Sequence, residues 1–411
     1  MGLNETVSAE RIQIGFFGKR NAGKSSVVNA IAGQEVALVS DTLGTTTDPV
    51  RKAMELLPLG PVVLIDTAGL DDEGELGLQR VRKTKRVMEQ VDIAVVVADS
   101  LATEIARETE LCRYFTEKNI PCILVLNKSD LQARDIENVI KEIQIKENAS
   151  FAVMNVSAVS GSGITELKNT IASFGAKCEH TQRLVADLLE AGDHVVLVVP
   201  IDESAPKGRL ILPQQQTIRD VLDAGAYCSI VKPEDLPEVL AGLKEEPKLV
   251  ITDSQAFREV NAMVPPQIKL TSFSILMARY KGNLYPAMEG ANILSDIKTG
   301  DRILISEGCT HHRQCGDIGT VKLPNLIRKF SSVEPEFEFS SGMDFPEDVS
   351  GYRLVIHCGA CTLNEKEMAR RSLLCREQGV PMTNFGIAIA KMNGILERST
   401  AILFEDMTEK R

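Results

Sequence analysis

Residues 18–25 read Gly-Lys-Arg-Asn-Ala-Gly-Lys-Ser, and this segment constrains the fold more strongly than any other part of the chain. Its spacing of glycine, lysine and serine is that of a loop whose backbone N–H groups surround phosphate oxygens. An apolar run over 11–17 precedes the loop, and a helical pattern over 24–32 follows it. A helix that begins directly after such a loop adds its positive end to an anion site. We therefore predict a P-loop nucleotide-binding domain.

Three further motifs follow apolar strands and favour GTP over ATP. Asp66-Thr67-Ala68-Gly69 comes after one strand, Asn127-Lys128-Ser129-Asp130 after another, and Ser157-Ala158 after a third. A carboxylate at position 130 can accept hydrogen bonds from the N1–H and 2-amino groups of guanine, and adenine offers neither. Open α/β sheets bind ligands at the carboxyl ends of their strands, where these motifs lie.

The motifs assign expected roles to individual residues. Lys24 is expected to reach the β- and γ-phosphates, Ser25 and Asp66 to hold Mg²⁺, and the Gly69 N–H to contact the γ-phosphate. The residues expected to contact the nucleotide are Gly18, Asn21, Ala22, Gly23, Lys24, Ser25, Ser26, Asn127, Lys128, Asp130, Ser157 and Ala158.

Strand-like and helical patterns alternate through the whole chain, which predicts an α/β fold with mainly parallel sheets. We predict a P-loop, Ras-like GTPase domain over 1–174, followed by two smaller α/β domains over 183–264 and 267–411. A polar linker over 175–182 and the pair Pro265-Pro266 mark the two boundaries. No internal repeat is evident in the sequence.

Net charge and the distribution of apolar residues indicate the cellular compartment and the classes of partner. The formal net charge of −11 argues against a protein whose main task is binding nucleic acid, because phosphate contacts require basic patches. No apolar run approaches the length of a membrane helix, and residues 1–10 do not resemble a secretory signal. We expect a cytoplasmic protein that contacts neither membrane nor nucleic acid, with reduced cysteines.

Cysteine and histidine residues concentrate in the last quarter of the chain. Cys309 and His311 follow the apolar strand 302–306, and His357, Cys358 and Cys361 follow the strand ending at 356. If the two strands are parallel neighbours, both loops leave the same sheet edge and the side chains converge. Three thiolates and one further ligand can bind Zn²⁺ or an iron–sulfur cluster. The alternatives are a redox pair of Cys358 with Cys361, or simple burial.

The first 173 residues resemble the TrmE-Era branch of GTPases. The resemblance rests on Asn21, on residues 44–48 (Gly-Thr-Thr-Thr-Asp) and on residues 66–70 (Asp-Thr-Ala-Gly-Leu). It implies that Thr46 closes on Mg²⁺ and takes part in hydrolysis, and that Asn21 helps to hold a stimulating K⁺ ion. The alternative is that Asn21 only braces the loop. Leu70 cannot position water, and Glu73 and Glu75 are weak candidates for that role.

The whole chain resembles the [FeFe]-hydrogenase maturation GTPases, the HydF family. Cys309-x-His311, then His357-Cys358-x-x-Cys361, and the segment 205–214 carry this resemblance. It implies a middle dimerisation domain in a homodimer and a [4Fe-4S] cluster on Cys309, Cys358 and Cys361.

The same resemblance implies a scaffold or carrier of a transient di-iron precursor cluster. Its partners would be apo-hydrogenase and two radical-SAM maturases. Candidates for the fourth iron ligand are His311, His357 and Glu307. The competing interpretations are an RNA-directed TrmE-Era-like GTPase with a zinc-stabilised C-terminal domain, and a nucleotide-dependent assembly switch.

Overall fold

The structure is a computed structural model that describes residues 11–33, 49–69, 75–143, 150–178, 183–201, 210–308 and 317–404. The chain forms two compact units, Met1–His180 and Thr181–Arg411. In the described part of the chain, no helix is long and apolar enough to cross a membrane.

In the described part of the first unit, six strands form one sheet in the order β2-β3-β1-β4-β5-β6. All neighbouring strands are parallel except β2, which runs antiparallel to β3. The strands are β1 (Ile12–Phe17), β2 (Val50–Leu56), β3 (Gly60–Asp66), β4 (Ile93–Asp99), β5 (Cys122–Asn127) and β6 (Phe151–Asn155). The helices are α1 (Lys24–Ala32), α2 (Glu75–Gln90), α3 (Ala106–Glu117), α4 (Ile136–Ile143) and α5 (Ile164–Gly175).

β4 and β5 are apolar up to their last residues because hydrophobic cores cover both faces of the sheet. Both strands are buried almost throughout, and Cys122, the first residue of β5, is buried next to Cys112 of α3. The predicted strands and the helix at 24–32 are confirmed. β2 was not predicted, because its polar and apolar residues follow no regular alternation and only its last residue is buried.

The described part of the second unit contains two four-stranded parallel sheets. The middle sheet and its helices comprise β7 (His194–Val198), α6 (Leu212–Asp223), β8 (Tyr227–Val231), α7 (Leu236–Gly242), β9 (Leu249–Thr252), α8 (Phe257–Met263), β10 (Lys269–Ser272), α9 (Phe273–Tyr280) and α10 (Leu284–Asn292). The C-terminal sheet and its helices comprise β11 (Arg302–Glu307), α11 (Leu323–Ser331), β12 (Glu336–Ser341), β13 (Leu354–His357), α12 (Glu365–Glu377), β14 (Met382–Asn384), α13 (Phe385–Met392) and α14 (Leu396–Thr400).

The second unit contains an internal repeat, so the expectation of none is wrong. The middle sheet has the order β10-β9-β7-β8 and the C-terminal sheet the order β12-β11-β13-β14, and in both the first strand lies between the second and the third. The strand registers match: Thr271 pairs with Ile251, and Thr383 pairs with Ile356. Aligned on these registers, Leu-Val-Ile recurs in β9 and β13, and Thr-(Ser/Asn)-Phe recurs where α9 and α13 begin.

The division between the two sheets lies later than Pro265-Pro266. β10 follows these prolines and pairs with β9, so the middle sheet continues past the expected boundary. A single hydrophobic core runs from Leu184 to Leu403 and includes residues of both sheets. The prolines interrupt the connection between α8 and β10, which accounts for the misleading signal in the sequence.

Candidate nucleotide site and cysteine loop

The phosphate loop of the first unit joins β1 to α1 and is shaped by glycines. A Cβ on Gly18 would lie 2.2 Å from the carbonyl oxygen of Val97, and the φ of this residue is +140°. Lys24 is buried and its Nζ donates to the carbonyl oxygens of Gly18, at 3.1 Å, and Lys19, at 2.8 Å. Asn21 is exposed and has a φ of +62°. The loop therefore wraps around the lysine ammonium at the amino end of α1.

Asp66, at the carboxyl end of β3, meets the phosphate loop. The Ser25 hydroxyl donates to its Oδ2, and its Oδ1 is buried without a hydrogen-bond partner. Burial raises the pKa of Asp66, while the Ser25 hydrogen bond and the charge of Lys24 lower it. A buried carboxylate oxygen with no donor, beside a serine hydroxyl, suits a magnesium ion bound partly through water. The donor set of Ser25 and Asp66 fits the expected Mg²⁺.

Asn127 joins three of the predicted motifs. Its Nδ2 donates to the Ala22 carbonyl oxygen at 3.1 Å, and its Oδ1 accepts from the Ala158 N–H at 3.2 Å. A Cβ on Gly23 would lie 2.3 Å from the same Nδ2, so only glycine fits there. The phosphate loop, the β5 motif and the β6 motif thus meet at a single amide, with Ser157 buried beside it.

Lys128 adopts a φ of +67°, and its ammonium forms an ion pair with Asp99 at the end of β4. Burial raises the pKa of Asp99, but hydrogen bonds from Lys128 and from the Leu101 N–H outweigh it and keep that pKa low. The Ser100 hydroxyl donates to the Lys128 carbonyl oxygen at 3.0 Å. Asp99 was not predicted as a site residue, although an acidic residue at the carboxyl end of a strand could have indicated it.

Several predicted residues lie outside the described residues. These are Thr46, Leu70, Glu73, Cys309 and His311. Glu75 is the first residue of α2. Gly69 is the last residue of the motif that follows β3, and Asp130 is the last residue of the motif at the end of β5.

In the second unit, the strands that precede the two predicted ligand segments end at the same sheet edge. β11 and β13 are parallel neighbours, with Ser306 opposite His357. The Gly308 N–H donates to the Cys358 Sγ at 3.0 Å, and the Ala360 N–H approaches the same sulfur at 3.4 Å. The residue before Cys309 therefore contacts Cys358 directly. No group of three metal-ligating side chains occurs among the described residues, to which Cys309 does not belong.

The cysteine loop (residues 358–363) turns tightly after β13. Ala360 has a φ of +55°, and the Thr362 hydroxyl donates to the Gly308 carbonyl oxygen at 3.1 Å. Burial and the nearby Glu307 carboxylate raise the pKa of the Cys358 thiol, and the two N–H donors and Arg371 lower it. The buried Lys281, directly after α9, donates to the Leu363 carbonyl oxygen at 2.9 Å and so connects the end of the loop to the end of that helix.

His357 is fully buried at the end of β13, and other groups engage both of its ring nitrogens. Nδ1 lies 2.9 Å from the Cys358 carbonyl oxygen, and Nε2 lies 2.9 Å from Nη1 of Arg371. Burial and the guanidinium lower the pKa of His357 to about 3. The ring is therefore neutral. Because arginine only donates, Nε2 accepts, and Nδ1 carries the proton that Cys358 accepts.

The second half of the chain matches two family models. The hydrogen maturase F dimerization domain matches residues 184–282, and the hydrogen maturase F tetramerization domain matches residues 285–402. The chain belongs to the hydrogen maturase F family. Both matched domains are oligomerisation domains, and their boundary falls after α9, where the structure divides the two sheets.

The first unit matches a third model, the 50S ribosome-binding GTPase, over residues 13–128. GTPase Der of Wolinella succinogenes is 34% identical over 165 residues, which are 39% of this chain and 35% of that protein. The tRNA modification GTPase MnmE of Nitrosomonas europaea is 34% identical over 160 residues, 39% of this chain and 34% of that protein. The chain spans about a third of the length of these relatives.

Among solved structures, Era of Aquifex aeolicus bound to GDP and aluminium fluoride is 22% identical. The match covers 56% of this chain and 97% of that one, with a TM-score of 0.34. The first unit is a GTPase domain.

Proposed function

We propose that this protein is a GTP-hydrolysing scaffold that binds a [4Fe-4S] cluster and assembles or delivers the di-iron precursor of the [FeFe]-hydrogenase active site. Membership of the hydrogen maturase F family and the GTPase domain support the proposal. Its partners would be apo-hydrogenase and the two radical-SAM maturases that build the precursor.

In the GTPase domain, Lys24 would leave its loop carbonyls for the β- and γ-phosphates, and Ser25 and Asp66 would hold Mg²⁺. Thr46 would close on the same ion, and the Gly69 N–H would contact the γ-phosphate. Asp130 would select guanine, with Lys128 flanking the base and the Ala158 N–H contacting O6. K⁺ would bind at Asn21 and stimulate hydrolysis; equal turnover in K⁺ and Na⁺ would contradict this role.

Base selection by Asp130 has a direct test. An asparagine amide can donate to the 2-carbonyl of xanthine, where guanine carries an amino group. We expect Asp130→Asn to lose turnover of GTP and to gain turnover of xanthosine triphosphate. Glu137→Gln, an exposed carboxylate at the start of α4, is the control and should retain GTP.

The single observation that best supports the cluster is the 3.0 Å contact between the Gly308 N–H and the Cys358 Sγ. It brings the chain immediately before Cys309 against the loop that carries Cys358 and Cys361. Backbone N–H donors to sulfur stabilise thiolates and adjust the potential of iron–sulfur clusters. The donor set of Cys309, Cys358 and Cys361 therefore fits a [4Fe-4S] cluster, which would supply redox-active iron with an exchangeable fourth position.

His357 is the weakest of the three candidates for the fourth ligand. Its Nε2 accepts from Arg371 and its Nδ1–H is donated to Cys358, so no lone pair faces the loop. Glu307 is buried at the end of β11 beside Cys358, and His311 is two residues from Cys309. We propose that the fourth ligand is one of these two.

Anaerobic reconstitution with iron and sulfide tests the cluster. We expect brown protein with broad visible absorption, about four iron atoms per chain and an EPR signal on reduction. Colourless protein that tightly holds one zinc ion would overturn the cluster and favour a zinc-stabilised domain.

For the oligomer, we propose that β8 pairs with β8 of a second copy. β8 is an edge strand of the middle sheet, within the segment that matches the dimerization domain, and its Tyr227 and Ile230 are 55% and 47% exposed. An exposed edge offers unpaired backbone groups and apolar side chains to another strand. Ile230→Arg should reduce the mass measured by light scattering, whereas Leu222→Arg, at an exposed leucine of α6, should leave it unchanged.

A further inference from the structure

We propose that Arg371, held in place by Glu367, is a positioning residue that fixes the cysteine loop for its iron–sulfur cluster. This inference rests on the proposed function, since it assumes that the loop binds iron. Arg371 lies on α12, about two helical turns after the loop ends, and it acts on the loop through other residues, because its hydrogen bonds go to Glu367, His357 and Gly342.

Arg371 is the largest side chain buried completely in the described part of the chain. Its Nε donates to Glu367 at 2.8 Å, its Nη1 to His357 at 2.9 Å and its Nη2 to the Gly342 carbonyl oxygen at 2.7 Å. The ring of Phe345 covers its guanidinium at 4.9 Å. Burying a guanidinium is unfavourable unless its N–H donors find partners in good geometry. The fork of donors is therefore held rigidly.

The network reaches the cluster loop through His357. Because Arg371 donates to Nε2, the proton of the neutral ring stays on Nδ1 and is donated to the Cys358 carbonyl oxygen. That bond fixes the first peptide of the cysteine loop, directly after Cys358. The same arrangement keeps the imidazole from binding iron. Groups that orient a ligand in this way commonly change metal affinity when they are removed.

The middle sheet shows that the fold itself does not require this network. Thr252 occupies the position of His357 at the end of the third strand, and its buried Oγ1 has no hydrogen-bond partner. Asp253 takes the place of Cys358. Arg371 is the seventh residue of the crossover helix α12, and the seventh residue of the equivalent helix α8 is Met263, which carries no charge. The buried arginine is therefore found beside the cysteine loop and not at the equivalent place in the middle sheet, although the two sheets share a strand order.

The charge of the network also favours a cluster. Glu367 is shared by Arg370 and Arg371, so the three side chains carry a net positive charge. Burial opposes ionisation of Glu367, but the two arginines lower its pKa to about 2. Three thiolates and a cluster form an anionic group, and a buried cation nearby stabilises it, most of all in its reduced form.

The test compares full-length Arg371→Met, Arg371→Lys, Glu367→Gln and Arg370→Gln after anaerobic reconstitution with iron and sulfide. Arg370 donates to the same Glu367, whereas the guanidinium on His357 Nε2 is that of Arg371, so Arg370 is the matched control. We expect Arg371→Met to release iron to a chelator about tenfold faster or more, with a lower midpoint potential and an altered EPR spectrum. Arg371→Lys restores the positive charge but not the three-way hydrogen bonding of the guanidinium. Its midpoint potential should therefore be closer to wild type than its rate of iron release.

GTP turnover within about twofold of wild type, together with the tyrosine fluorescence of the second unit, would show that the variants are folded. Glu367→Gln keeps Arg371 and should give a smaller effect in the same direction. Equal iron release by Arg371→Met, Arg370→Gln and wild type would overturn the inference. So would equal acceleration in Arg371→Met and Arg370→Gln. If the wild-type protein binds no iron, the proposed function fails instead.

Discussion

The middle sheet and the C-terminal sheet share a strand order but differ at the residues that follow their strands. β9 ends in Thr252 and continues with Asp253, whereas β13 ends in His357 and continues with Cys358. In both sheets this point lies where the chain changes direction across the sheet, the usual place for a ligand site. The strand order therefore supplies the position of the site. A few side chains after the third strand supply its chemistry.

The two halves also exchange their last helices. α10, which follows the middle sheet, packs on β14, and α14, which follows the C-terminal sheet, packs on β10. α9 and α13 contact each other, and the equivalent positions Ser274 and Gly386 meet at their contact. Arg398 of α14 donates to carbonyl oxygens before β10, including those of Val264 and Pro265. The exchange explains why both sheets share one core.

The largest expected effect is on iron binding, and it is seen by substituting Cys358 after β13 and Asp253 at the equivalent position after β9. Cys358→Ser is expected to lower the affinity for iron by far more than about tenfold, because serine replaces a direct ligand. Asp253→Asn, at the equivalent position, should leave the iron content unchanged, since its oxygen can still accept from Gln214. Iron and sulfide analysis after reconstitution measures both. Comparable losses in the two variants would mean that the sheets do not differ in the way proposed.

The crossing of α9 and α13 provides the next largest effect. A Cβ on Gly386 would lie 2.4 Å from the Cβ of Ser274, so Gly386→Ala should destabilise the second unit by about 1–3 kcal/mol. Adding Ser274→Gly should recover part of this loss, because the clash disappears. Urea unfolding followed by tyrosine fluorescence reports on this unit, which holds four of the five tyrosines, and the chain has no tryptophan. Additive single-variant effects would contradict a direct contact.

Much of the fold was predictable because parallel strands buried on both faces are strong signals. The apolar runs at β4, β5, β11 and β13 fixed their strands, and the loop motifs fixed the order of the nucleotide site. The adjacency of β11 and β13, which brings the predicted loops together, was a condition of the cluster hypothesis and is confirmed.

The repeat and the arginine were missed for physical reasons. The repeat keeps only short apolar segments in common, and each of them also fits an ordinary buried strand. Arg370 and Arg371 sit in a charged helix that is typical of a solvent-exposed face. Glu367, one turn before Arg371, was the available signal, but such pairs are common on exposed helices. Only the packing of α12 against His357 distinguishes this pair.

Thr271 and Thr383 occupy equivalent positions in the two sheets, but their hydroxyls have different surroundings. Thr383 donates to the Ala287 carbonyl oxygen of α10 at 2.7 Å, whereas the buried Oγ1 of Thr271 has no partner. Thr383→Val should cost about 1–2 kcal/mol, because it removes a buried hydrogen bond. Thr271→Val should be neutral or slightly stabilising, because it removes an unpaired buried hydroxyl. Equal effects on urea unfolding would show that the exchanged helix α10 is not held by this bond.

The smallest expected difference lies at the amino ends of α9 and α13. Ser272 Oγ accepts from the Ile275 N–H at 3.3 Å, and Asn384 Oδ1 accepts from the Ile387 N–H at 2.8 Å. Asn384 Nδ2 also donates to the Ser274 carbonyl oxygen at 2.8 Å and so connects the two halves. Exchanging the caps isolates that bridge, because serine and asparagine cap helices about equally well.

Asn384→Ser should therefore cost about 1 kcal/mol or less, and Ser272→Asn should change stability little. Both are measured by the same urea unfolding, in preparations with the same iron content. A larger loss in Ser272→Asn than in Asn384→Ser would contradict the bridge. It would mean that the two halves are joined by the shared core and the exchanged helices alone.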